Sequence, residues 1–171
     1  MKRRANSTRA NQRGVTMVEA LVALVVLSVG MLGIAGLYVS SLRAERTAQL
    51  RTYAIALVND MIDRIRANAQ ARSAYNLATA TPAVMNCIAA ATPTPCKTED
   101  LAAEDLKVWT DAAKAFLPGG KGTVVYTAAA STGLPDTYAI TVQWTEPGDG
   151  PNGAPLTLSY SNALSMIAVT P

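Results

Sequence analysis

The sequence predicts an α+β protein: a long N-terminal helix packed on a small antiparallel sheet, with a second, shorter helix between them in the chain. Three observations carry this. No proline interrupts residues 15–81, and up to about Asn68 the apolar residues suit a helix. A helical repeat then recurs over residues 98–116. Beyond Leu117-Pro-Gly-Gly120 the apolar period changes from about four to two.

Residues 1–14 are basic and polar, with five of the fifteen basic residues (Lys2, Arg3, Arg4, Arg9, Arg13) and no acid. Without them ten basic residues face twelve acidic ones, so the basic balance belongs to a leader and the body is mildly acidic. Such a body lacks the clustered cations that follow a phosphate backbone, and no nucleic-acid partner is expected. From Val15 to Val39 the chain is apolar except for Thr16, Glu19, Ser28 and Tyr38. Twenty-five residues make a helix of roughly 37 Å, enough to cross a hydrocarbon core of about 30 Å. The basic flank predicts the N-terminus in the cytoplasm and the remainder outside it. A cleaved secretory signal ending near Gly33-Ile-Ala-Gly36 is the rival, but the apolar run is long and more helix follows it.

Over residues 40–70 the helix becomes amphipathic. Leu50, Ala54, Leu57, Met61 and Ile65 fall on one stripe, while Arg46, Arg51, Asn59, Asp63 and Arg66 fall off it. One continuous helix from about Val15 to about Asn68 is expected. Residues 71–171 form the head. Ala69 to Lys97, around the start of the head, reads as turns. Thr98 is placed as an N-cap, with Glu99 and Asp100 in the first turn and Ala102, Leu106, Trp109, Ala113 and Phe116 on one face. Strands are expected at Thr123–Tyr126, Tyr138–Trp144 and Leu156–Tyr160, with a turn-rich link over residues 146–153. Trp109, Tyr138, Trp144 and Tyr160 read as core positions.

Composition argues against an enzyme. Histidine is absent, which removes the commonest general base and metal ligand. Two cysteines, Cys87 and Cys96, are too few for a thiolate zinc site and too widely spaced for a redox pair. Outside the cytoplasm a disulfide between them is the expected state. No catalytic residue, cofactor or metal is assigned.

Glu19 is the unusual residue. A carboxylate at mid-bilayer costs about 2.5–3.5 kcal/mol on insertion scales, and less near the interface. Snorkelling towards Arg9 and Arg13 would relieve it. So would an α-amino group on Val15, were the chain cut after Gly14. Here Arg13-Gly14 followed by Val-Thr-Met-Val-Glu-Ala-Leu resembles the signal of type IV pilin-like proteins. The resemblance implies the pilin fold, cleavage between Gly14 and Val15 by a prepilin peptidase, and N-methylation of Val15. It also implies a docking and register role for Glu19 among neighbouring subunits. Val15 departs from the Phe usual in major pilins, which points to a minor subunit. A finer resemblance, to the PilV type of minor pilin, rests on residues 19–36, Cys96, Leu101-Ala102, Asp105-Leu106, Trp109, Leu117–Gly120 and Tyr138–Trp144.

The family further implies other pilins and an inner-membrane assembly platform as partners. The expected location is the inner membrane and then a pilus serving adhesion and twitching motility. Two alternatives stand beside it: a type II secretion pseudopilus, and a membrane-anchored module facing the periplasm.

Overall fold

The computed structural model describes residues 16–87, 96–131, 133–146 and 156–167. The leader, the Gly14–Val15 bond and most of the 146–153 link lie outside the described residues. Helix α1 spans Met17–Ala67, a 3-10 segment follows at Ala69–Tyr75, and helix α2 spans Thr98–Phe116. Strands β1 (Lys121–Thr127), β2 (Pro135–Glu146) and β3 (Leu156–Ile167) complete the chain. The residues divide into two units at Ala44/Glu45.

In the first unit α1 has no buried side chain; Leu21, Leu24, Leu32 and Ile34 are all exposed. The helix is long and apolar enough there to cross a membrane. In the second unit it turns one stripe inward. Leu50, Ala54, Leu57, Met61 and Ile65 are buried, as their spacing predicts, and Val58 and Ile62 join them.

The stripe packs into a single core with the inward faces of α2 and the sheet: Leu106 and Trp109 from α2, Val124 from β1, and Tyr138, Ile140, Val142 and Trp144 from β2. The sheet is antiparallel, ordered β1-β2-β3. Val124 lies opposite Ile140 and Trp144 opposite Leu158. Its other face carries Thr137, Thr141, Gln143, Thr157, Ser159 and Ser161, so the alternation of apolar and small polar residues decides which side meets the helix.

Three expectations at α2 and its flanks are corrected. Thr98 is the first helical residue and Lys97 precedes the helix without a side-chain cap; the Thr98 carbonyl is instead taken by Asn68. Phe116 is exposed and stacks on Tyr53 at 5.7 Å, while Leu117 turns inward in its place. This follows from the helix ending at Phe116, so that the next residue can leave the helical path and reach the core. Residues 69–75, expected as turns, form the 3-10 segment. β1 and β2 also run longer than expected at both ends, and β3 at its C-terminal end, because cross-strand pairing continues past the strictly alternating residues.

The turn into the sheet depends on glycine. Gly119 has φ +63°, and a Cβ on Gly120 would lie 2.0 Å from the Ala113 carbonyl oxygen.

Candidate assembly site

The N-terminal segment begins with Thr16, whose hydroxyl accepts a hydrogen bond from the Glu19 backbone N–H at 3.3 Å. Thr16-Met-Val-Glu19 has the spacing of a capping box, and Glu19 is the acidic residue of the first turn. A carboxylate there faces the partial positive charge of the helix N-terminus, which favours it even in an isolated subunit. Its side chain is exposed and makes no ion pair among the described residues. Ser28 hydrogen-bonds back to the Val25 carbonyl at 2.8 Å, hiding its hydroxyl from an apolar environment. A Cβ at Gly30, Gly33 or Gly36 would meet nothing within 4 Å, so this side of the helix is open to close approach by another one. The segment is therefore an apolar rod with one carboxylate at its start.

The head is held by polar contacts that the sequence reading missed. Asp105, buried on α2, receives Arg64 Nη1 at 2.8 Å and the Tyr75 hydroxyl at 2.6 Å. Burial and then this bond push the Tyr75 phenol upward. Asn68 Nδ2 donates to the Thr98 carbonyl at 2.8 Å. The group ties the end of α1, the 3-10 segment and α2 together. Trp109 Nε1 donates to the Leu57 carbonyl at 2.7 Å, a second link from α2 to α1. Asp105 lies three residues after Ala102 and four before Trp109, on the predicted apolar face. Spacing alone could have placed it inside.

In the middle of the 3-10 segment Arg72 has φ 42°, a costly conformation for a residue with a Cβ. Its guanidinium grips buried Asp136 with Nε–Oδ2 at 2.8 Å and Nη2–Oδ1 at 3.0 Å, and the Ala129 N–H adds a third bond. Arg72 holds the Asp136 carboxyl below its ordinary range despite its burial. Burial raises the Tyr138 phenol to about 12. Nothing local in the sequence marks Arg72 and Asp136 as partners, since they are 64 residues apart.

The predicted disulfide joins Cys87 and Cys96, with Cα atoms 5.8 Å apart. The Cys87 N–H donates to buried Glu104, so Cys87 is also fastened to α2. Elsewhere in the head, buried Glu146 accepts from Trp144 Nε1 at 3.0 Å. These buried carboxylates are engaged by the fold itself, and among the described residues no three His, Cys, Asp or Glu converge on a common point.

Among known proteins, residues 9–35 match the prokaryotic N-terminal methylation motif, and residues 36–107 match the family described as type IV pilin Tt1218. No curated protein and no solved structure matches the chain. The two matches adjoin between residues 35 and 36, and the second ends within α2, before the sheet. Together they support a type IV pilin-like family for this chain.

Proposed function

We propose that this protein is a minor pilin, most like the PilV type. It is inserted in the bacterial inner membrane with its N-terminus in the cytoplasm, then incorporated into a type IV pilus or used to prime one. The observation that carries the reading is the methylation motif over residues 9–35, with Gly14 placed five residues before Glu19. On this reading residues 1–14 are removed by a prepilin peptidase and Val15 is methylated at its new amine. Residues 15–39 are the membrane half of the helix, residues 40–70 its amphipathic half, and residues 71–171 the periplasmic head. Glu19 sets docking and register by pairing with the Val15 amine of a neighbouring pilin, a pairing favoured because each charge alone is expensive in hydrocarbon. The assembly platform of the inner membrane and the other pilins are the partners, and adhesion and twitching motility are the outputs of the fibre.

Intact mass after co-expression with a prepilin peptidase tests the first step. The wild-type chain loses residues 1–14 and gains one methyl group, and Gly14→Ala stays full length. Processing of Gly14→Ala at the wild-type rate would overturn the reading. Glu19→Ala separates cutting from docking: it is processed normally but is missing from sheared filaments.

A further inference from the structure

The two edges of the sheet are treated differently. At β1 the chain itself supplies a partner, because the Leu77 N–H donates to the Val124 carbonyl at 2.9 Å. At β3 no strand among the described residues pairs with the outer edge. That edge is twelve residues long, about 40 Å. It pairs with β2 in unbroken register, so no bulge twists it away. It contains no charge, proline or glycine, and thus lacks the usual devices that keep an edge from recruiting another chain.

A second feature lies beside it. Leu158 and Tyr160 on β3, Trp144 on β2 and Ile55 on α1 line a mostly apolar cleft of about 250 Å³ with Arg51 and Ser159. Ile55 is 42% exposed, although apolar and on the head. Arg51 is one helical turn before Ile55, and its guanidinium has no carboxylate partner among the described residues. A strand added to the open edge would run about 4.8 Å from β3 and point alternate side chains towards this cleft.

We infer that the free edge of β3 receives an extended segment of a different polypeptide as a fourth strand, with an apolar side chain in the Ile55–Trp144–Leu158–Tyr160 cleft and a carboxylate on Arg51. A second copy pairing edge to edge would fit less well: β3 contains no acid and could not supply that carboxylate. Main-chain hydrogen bonds provide the attachment, and the cleft with Arg51 selects the sequence. The inference goes beyond the filament role and stands whether or not the leader is cut.

The test uses the full chain in detergent micelles and a capped nine-residue peptide that alternates threonine with valine, one valine being replaced by glutamate. A twin carries glutamine instead. Without peptide, alternate backbone amides over Leu156–Ile167 exchange rapidly with solvent; with it, they become protected. The glutamate peptide binds about two- to fivefold tighter than its twin, the size of an exposed ion pair. In Arg51→Gln the two peptides bind alike. Three results would overturn the inference: β3 amides fully protected without peptide at every concentration, protection that rises with protein concentration alone, or no protection by either peptide at millimolar levels. Equal affinity of both peptides for the wild-type chain would remove Arg51 from the site.

Discussion

The two parts of α1 both carry leucines, valines, isoleucines and methionines, and they treat them in opposite ways. Up to Ala44 every described side chain is exposed, leucines and valines included; from Leu50 to Ile65 seven residues are buried and the charges stand outside. The difference is one of arrangement. In the first part apolar residues surround the helix, so no face is set apart, and only an apolar medium or other helices can cover them. In the second part they form a stripe, and a stripe can be covered by one sheet. Apolar content therefore does not tell where a helix is buried; its angular distribution does.

The largest expected break in this symmetry is a pair of truncations. Met61→Ala opens a cavity in the head and lowers its unfolding free energy by about 2–5 kcal/mol. Leu32, 73% exposed, has no neighbours in the subunit to lose. Leu32→Ala leaves the denaturant midpoint of the head unchanged, within about 0.5 kcal/mol. Equal losses would mean that the two parts share one core.

Next comes the disulfide, which belongs to the head alone. Reducing the Cys87–Cys96 bond, whose ends are nine positions apart, removes about 2–3 kcal/mol in the chain-entropy account. The head then melts earlier while helix content in the first part persists, as far-ultraviolet dichroism in micelles would register. Alkylation of both thiols without reductant would contradict the bond itself.

Glycines sharpen the contrast further. A Cβ on Gly122 would lie 2.2 Å from the Trp109 ring, so Gly122→Ala forces β1 or the indole to move and costs about 1–3 kcal/mol. Gly33→Ala meets open space, and the helix of the isolated subunit is stabilised by about 0.5–1 kcal/mol. If close helix approach matters in a filament, the same substitution reduces incorporation although it strengthens the monomer.

The smallest expected effect is set by pH. Asp136 is depressed in the folded head by Arg72, so its contribution is present above the unfolded carboxylate range near pH 4 and is lost as pH falls through the lower folded value. Asp136→Asn should remove that part of the acid sensitivity of the head's melting temperature. A variant as acid-sensitive as the wild type would assign the transition to other carboxylates.

What could be read in the sequence was what depends on neighbours a few positions away. The stripe from Leu50 to Ile65, the stop at Pro118-Gly-Gly120, the alternation from Tyr138 to Trp144 and the capping box at Thr16–Glu19 all express local geometry, and only the last went unrecognised. The disulfide was legible from compartment and cysteine count. Phe116 was misplaced because a helical repeat was carried one residue too far, to the point where the helix ends. The rest was decided by tertiary structure. Arg72 and Asp136 are partners because the sheet brings β2 beneath a kinked segment 64 residues away, and a buried carboxylate persists only where a cation or a hydrogen-bond donor arrives. The same holds for Asp105 between Arg64 and Tyr75, and for an open edge at β3 beside a closed one at β1. The sequence by itself determined which residues seek burial and at what period; only packing decided which charges could follow them inside, because a buried charge needs a counter-charge or a hydrogen-bond donor at contact distance and sequence spacing does not measure that distance.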